Sequence, residues 1–195
     1  RENMSNESEK KPEFGASGRK IIYDKDGKPC RSCNTLLDFK MANFGTKAKT
    51  AGAAAVGSAA IGAGAAAATS SSKTESSVYP KDCPPDVTQL GRSTWTFLHS
   101  VAASYPEKPT ESQQTNMVQF LNIFAKIYPC WFCAKDFENY ISKPETKPKV
   151  TNQEEFGKWL CDAHNEVNVK LGKPKFDCNL WKQRWRDGWD DGSCD

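Results

Sequence analysis

From residue 41 to residue 79 the sequence is dominated by Ala, Gly, Ser, Thr and Lys, and the run Ala51 to Ala68 has no side chain larger than Val56 and Ile61. Such a composition cannot bury a core, so the run reads as a low-complexity linker. It divides the 195 residues into an arm over 1–40, the linker over 41–80 and a domain over 81–195. Only the last piece approaches the ~100–150 residues of an ordinary domain. A membrane span is the competing reading of the run. Its glycines and its shortage of large aliphatics leave too little to anchor a helix in lipid, so no span is expected.

Charge narrows the function classes. The net charge is +3, with 26% charged and 37% hydrophobic residues, which is neither a nucleic-acid footprint nor an acidic tail, and no nucleic-acid partner is expected. Residues 1–11 are polar and charged without an apolar segment, so nothing there reads as a secretory signal peptide.

After Cys83-Pro-Pro-Asp86 the apolar period becomes helical. Val87, Leu90, Trp95, Leu98, Val101 and Ala102 recur at three- and four-residue steps, predicting a first helix that ends near Tyr105-Pro106. Thr110 with Gln113 forms a capping-box pattern ahead of the stripe Met117, Phe120, Leu121, Phe124 and Tyr128, predicting a second. A third should run from Trp131 to Ser142, with Phe137, Tyr140 and Ile141 inward. Thr151 with Glu154 repeats the capping box for a fourth, marked by Phe156, Leu160, Ala163, Val167 and Leu171 and ending at Gly172. A short last helix over Asn179 to Arg186 carries Trp181 and Trp185. No segment alternates as a strand does, so the fold class is all-α, a small helical bundle. The island Gly18 to Phe39 is too small to bury a core alone and reads as a mobile redox arm.

Eight cysteines fall into two C-x-x-C pairs, Cys30/Cys33 and Cys130/Cys133, and four single positions. So many thiols point to redox work or an oxidising compartment. At the start of a helix, Cys130 and Cys133 meet unpaired N–H groups and the positive end of the dipole, which favours a reactive thiolate. Half of a zinc site is the alternative, but the second pair lies across the whole linker, far from zinc-ribbon spacing, so no metal is expected. A thioredoxin-like enzyme would need a βαβ context, and none is visible. A redox pair in a helical bundle must still hand on two electrons, which calls for a cofactor. Gly91, Trp95 and His99 share one face of the first helix, with Arg92 beside them, and His164 lies on the apolar stripe of the fourth next to Asn165 and Asn168. These polar intrusions are the candidate cofactor contacts. A Cys161–Cys178 bridge would staple the short last helix. Cys83 and Cys194 suit either an intramolecular clasp or an intersubunit bridge.

Cys83-Pro-Pro-Asp86, Leu90-Gly-Arg-x-x-Trp95-x-x-Leu98-His99, Tyr128-Pro-Cys-x-x-Cys-Ala-x-Asp136-Phe, His164-Asn-x-Val-Asn168 and Lys173-Pro-x-Phe-Asp-Cys178 follow one another across residues 83–194. By these motifs the chain resembles the Erv/ALR-type FAD-dependent sulfhydryl oxidases. The island Gly18-Arg-Lys-Ile-Ile-Tyr-x-x-x-Gly-Lys-Pro-Cys-Arg-Ser-Cys33 resembles the shuttle arm of that family's yeast mitochondrial intermembrane-space member. The resemblance implies a four-helix bundle with a short fifth helix, binding FAD at one end, preceded by a flexible N-terminal arm and forming a homodimer. It places Gly91, Arg92, Trp95, His99, Cys161, His164, Asn165, Val167, Asn168, Lys170, Lys173, Arg184 and Trp185 at the flavin. Cys133 is then the flavin-proximal sulfur, Cys130 the interchange sulfur, and Cys30/Cys33 the shuttle pair. Cys83 and Cys194 match positions that bridge the two subunits.

The implied activity is thiol oxidation. Electrons pass from a substrate dithiol through Cys30/Cys33 and Cys130/Cys133 to FAD, then to oxygen, giving hydrogen peroxide, or to cytochrome c. The implied protein substrate is the import oxidoreductase of the mitochondrial intermembrane space. The 49 residues between Cys33 and Cys83 span roughly 35–42 Å r.m.s. as a flexible Gly-rich chain, enough to reach either subunit's site. Two features lie outside the family pattern: the Ala/Gly linker, and the bulky apolar pair Trp131 and Phe132 between the catalytic cysteines. A disulfide-stapled or zinc-bound interaction module is the non-enzymatic alternative, and bound flavin separates the two.

Overall fold

The computed structural model describes residues 11–44 and 83–194. The linker expected over 41–80 therefore lies, from residue 45 onward, outside the described residues. Among the described residues five α-helices are formed: α1 (Leu36–Phe44), α2 (Val87–Ala103), α3 (Glu111–Ile127), α4 (Trp131–Ser142) and α5 (Gln153–Lys170). Among the described residues there is no β-strand, only two isolated bridges. None of these helices is long and apolar enough to cross a membrane.

Helices α2 to α5 share one core. Leu98 and Ala102 of α2 meet Leu121 and Ala125 of α3, Ile141 of α4, and Phe156, Trp159 and Leu160 of α5, with Tyr105 and Val150 closing the end. Helix ends are satisfied by side chains, as buried backbone groups require. Asp86 caps α2, and Thr110 with Gln113 closes a reciprocal capping box on α3. Helix α5 departs from expectation by one residue. Its cap is Asn152, whose Oδ1 accepts from the Glu155 N–H at 2.8 Å. Asn caps as well as Thr, and the Thr151 hydroxyl donates instead to the Glu155 carboxylate. Buried Gln153 donates to the carbonyls of Ala103 and Tyr105, tying the end of α2 to the start of α5.

Residues 11–44 of the arm fold around Ile21, 2% exposed and one of the apolar residues the sequence marks, together with the buried polar side chains of Asn34 and Asp38. Asn34, 4% exposed, accepts from the Ile22 N–H at 2.9 Å and donates to the carbonyls of Ile22 and Cys30, each at 2.7 Å. Asp38, also buried, accepts from the Ser17 N–H at 2.9 Å and the Thr35 hydroxyl at 2.8 Å. Gly18 and Gly27 turn the chain with φ of 76° and 71°, values that favour glycine. Helix α1 runs four residues past the expected arm boundary at 40.

The C-terminal segment is not a regular α-helix. A 3₁₀ turn, Cys178–Leu180, is followed by a π-helical turn, Gln183–Asp187. The wider winding lets two tryptophans four residues apart serve different partners: Trp181 is buried against Gly157, and Trp185 turns to His99.

Candidate redox site

Helix α4 begins at the redox pair. Cys130 is its N-cap, and its sulfur accepts from the Cys133 N–H at 3.2 Å. The two cysteines are joined in a disulfide. Cys130 has no exposed surface and Cys133 is half-buried, while Trp131 and Phe132 between them are 52% and 51% exposed. When the pair is reduced, the N–H groups of the first turn face the sulfurs and favour the thiolate, the form that exchanges disulfides. Cys30 and Cys33 form a second disulfide in a tight turn, Arg31–Cys33. The two redox segments touch: the Ser32 hydroxyl donates to the carbonyl of Pro129 at 3.0 Å, immediately before Cys130. Cys161 and Cys178 form a third disulfide, whereas Cys83 and Cys194 are free and exposed.

A cluster of flat side chains lies between α2, α5 and the π-helical turn. Trp95 stacks on His164, centroids 4.1 Å apart, and His99 stacks on Trp185 at 4.3 Å, both pairs within 4° of parallel. The two imidazoles are joined through His99 Nε2 and His164 Nδ1 at 3.0 Å. Arg184 lies over the Trp185 ring at 4.2 Å. The cluster is tied to the disulfide from two sides. Thr94, beside Trp95, donates to the Tyr128 hydroxyl at 3.4 Å, two residues before Cys130. Lys170, at the end of α5, binds both carboxylate oxygens of Asp136 at 2.7 and 2.8 Å, three residues after Cys133.

Burial keeps both imidazoles neutral. It is the main force driving His99 down to about 3, with His164 and Arg184 adding to it, and driving His164 down to about 4, with Lys173 and Arg184 adding to it. An unfolded histidine titrates near 6.5, so below that pH the unfolded chain takes up protons that the folded chain refuses. The stability these residues contribute is therefore complete above ~6.5 and is lost as pH falls toward about 4 for His164 and about 3 for His99. The urea midpoint should drop across that window, and less steeply in His99→Gln. Equal slopes in the two proteins would refute this assignment.

The other sequence candidates are distributed unevenly. Lys173 acts on His164 through its charge. Gly91 and Arg92 lie at the outer end of α2, where Arg92 helps line a shallow cavity of about 400 Å³ with Pro85, Thr88 and Gln89. Asn165 is committed to the chain: its amide donates to the Phe176 carbonyl and accepts from the Phe176 N–H, each at 2.8 Å, which holds Cys178 against α5. Asn168 reaches Asn165 at 3.4 Å, and Val167 is half-buried. Lys170 is held by Asp136. The sequence reading missed this Asp136–Lys170 tie and the Tyr128–Thr94 contact. Both join residues more than 30 positions apart, for which no local pattern gives a signal. Among the described residues no group of His, Cys, Asp and Glu is arranged to hold a metal ion.

The cluster suits a large flat anionic cofactor. His99 Nδ1 is buried and has no hydrogen-bond partner, a costly condition that a ligand's polar edge relieves. The flat side chains of Trp95, His164 and Trp185, each half-buried, suit stacking with a ring system, and Arg184 with Lys173 offers positive charge to a pyrophosphate. A helix-capping disulfide tied on both sides to such a cluster is an arrangement that suits a cofactor-linked dithiol/disulfide site.

Residues 92–186 match the model of the Erv1 / Alr family. The chain is 56% identical over 189 residues to the mitochondrial FAD-linked sulfhydryl oxidase ERV1 of Saccharomyces cerevisiae, covering 92% of this chain and 94% of that protein. It is 39% identical over 165 residues to the corresponding protein of Schizosaccharomyces pombe, covering 84% and 90%. The crystal structure of the yeast Erv1 core is matched in full, over 62% of this chain, with a TM-score of 0.54 and 62% identity. A structure of the FAD binding domain of Saccharomyces cerevisiae Erv1 is likewise matched in full, over 55% of this chain, with a TM-score of 0.52 and 64% identity. The chain belongs to the Erv1 / Alr family.

Proposed function

We propose that the chain oxidises a protein dithiol by a two-step internal relay, first at Cys30–Cys33 and then at Cys130–Cys133, with FAD receiving the electrons. The observation that carries the relay is the contact between the two redox segments, Ser32 to Pro129 at 3.0 Å. The substrate's thiolate attacks the arm disulfide and its second thiol resolves the mixed disulfide, leaving Cys30 and Cys33 reduced. One arm sulfur then attacks Cys130, and Cys133 departs as a thiolate stabilised by the first turn of α4. FAD, when bound, takes up two electrons from a dithiol and passes them to a terminal acceptor, which we assign as dioxygen, giving hydrogen peroxide, or cytochrome c. Trp95, His99, His164 and Trp185 hold its rings and Arg184 and Lys173 its charge. Gly91, Arg92, Cys161, Asn165, Val167, Asn168 and Lys170 complete the binding region. The neutral His99–His164 pair adds no positive charge to it at pH 7.

Replacing both Cys30 and Cys33 by Ser should leave dithiothreitol oxidation intact, because a small dithiol needs no shuttle to reach the half-buried sulfur of Cys133. Oxidation of reduced thioredoxin, used as a protein dithiol, should slow at least tenfold. An oxygen electrode reads both rates, and equal losses would contradict the shuttle role.

The oxidase works as a homodimer in this reading. Phe97 of α2, in edge contact with Phe120 of α3, continues into Ile123 and Ile127 along one side of α3, and Phe97, Ile123 and Ile127 are 54%, 57% and 72% exposed. An apolar face of that kind is suited to a second copy. The free, exposed Cys83 and Cys194 suit a bridge between subunits. A single-chain mass in non-reducing sedimentation would disprove the dimer. We place the protein in the mitochondrion, in its intermembrane space, with the import oxidoreductase there as its substrate. The mitochondrial names of two relatives support the first of these, the mitochondrion.

A further inference from the structure

Asp86 is 1% exposed, and its two carboxylate oxygens serve different parts of the molecule. Oδ1 accepts from the N–H groups of Thr88 and Gln89, each at 3.0 Å, and so caps α2. Oδ2 accepts from the N–H of Leu36, the first residue of α1, at 2.8 Å. Three further hydrogen bonds follow the same seam. The Val87 N–H donates to the Asn34 carbonyl at 3.2 Å, Arg31 donates to the Pro84 carbonyl at 2.9 Å, and Ser32 donates to the Pro129 carbonyl. Asn34, next to Cys33, also holds the Cys30 carbonyl. A short connected path thus runs from the arm disulfide to Asp86.

We propose that Asp86 is a positioning residue for the internal step of the relay: one oxygen builds α2 and the other docks the shuttle arm beside Cys130. The bond to Leu36 has a carboxylate acceptor and the Arg31 bond to Pro84 a guanidinium donor, and such charge-assisted hydrogen bonds are about twice as strong as neutral ones. The step it serves balances. One arm thiol loses its proton and its sulfur bonds to Cys130, breaking the Cys130–Cys133 bond and releasing Cys133 as a thiolate. The second arm thiol, also deprotonated, displaces Cys130 from the mixed disulfide. The arm ends oxidised and the Cys130/Cys133 pair reduced, with two electrons and two protons transferred. Docking raises the effective concentration of the arm at Cys130 and leaves the chemistry of exchange unchanged.

This inference rests on the relay proposed above, and the two can fail separately. Asp86→Asn keeps one acceptor oxygen for the α2 cap, a role Asn fills as well as Asp, and turns an NH₂ donor toward the Leu36 N–H. Leu36→Pro breaks the same bond from the arm side. Proline is favoured at the first position of a helix and has no N–H to lose there. In the full-length, flavin-loaded protein, Asp86→Asn should speed hydrogen exchange at the Leu36 amide about tenfold, with the Thr88 and Gln89 amides unchanged. Both variants should slow flavin reduction by limiting reduced thioredoxin about three- to tenfold, and the double variant should be no slower than either single one.

Unchanged exchange at Leu36 would overturn the tie. Faster exchange with an unchanged rate of flavin reduction would overturn its role in the relay. If instead the Cys30→Ser/Cys33→Ser protein accepts electrons from thioredoxin at the normal rate, the relay itself fails, whatever the exchange data show.

Discussion

Replacing Cys133 by Ser reduces oxidation of every thiol substrate to background, dithiothreitol and reduced thioredoxin alike, while the protein still binds its flavin. The pair works as a unit: Cys130 and Cys133 share one disulfide bond, so attack on one sulfur succeeds only if the other can leave. Without that leaving group there is no disulfide to open, and the arm has nowhere to deliver electrons. The Trp95, His99, His164 and Trp185 cluster sits on α2, α5 and the π-helical turn rather than on α4, so flavin content and absorption should change little. Oxygen uptake measured beside the flavin spectrum separates the two effects. More than a tenth of the normal dithiothreitol rate in Cys133→Ser would show that electrons reach the flavin by another route.

The four core helices were legible because their signals are local. Apolar residues at helical steps marked α2 to α5, and Thr110 with Gln113 capped α3 as expected. The redox pair was legible for the same reason, since a C-x-x-C ahead of an apolar helical stripe needs no tertiary knowledge. What escaped is held by distant partners. The arm's apolar anchor Ile21 was visible, but the buried polar side chains of Asn34 and Asp38 beside it are ones that a search for hydrophobic periods passes over. The two carboxylate roles of Asp86 involve residues 50 positions apart. Helix α5 began one residue late because Asn152, a stronger cap than Thr151, accepts from the Glu155 N–H while the Thr151 hydroxyl turns to the Glu155 carboxylate. His99 and His164 were visible as polar intrusions on two apolar faces. That each stacks on a different tryptophan follows from how α2, α5 and the tail pack, which no single segment encodes.

Gly157→Ala should unfold the protein several degrees earlier and weaken flavin binding, although helix propensity predicts the opposite. In an exposed helix interior the change gains about 1 kcal/mol. Here Gly157 is buried in α5, and a Cβ built on it would lie 2.6 Å from three atoms of the Trp181 indole. The ring is 1% exposed, so the strain falls on the tail or on α5. Overpacking of this kind costs about 1–3 kcal/mol, so packing outweighs the propensity gain by up to about 2 kcal/mol. The disturbance carries into the site. Trp185, four residues beyond Trp181, stacks on His99 and sits under Arg184, so a displaced tail misaligns the cofactor's contacts. Flavin affinity should fall about tenfold, which corresponds to ~1.4 kcal/mol. Thermal midpoint and flavin release on dilution read the two effects. The double variant Gly157→Ala/Trp181→Leu should recover part of the affinity by making room for the methyl group. A higher midpoint in Gly157→Ala alone would mean that the tail yields without cost and that Trp181 does not anchor the site.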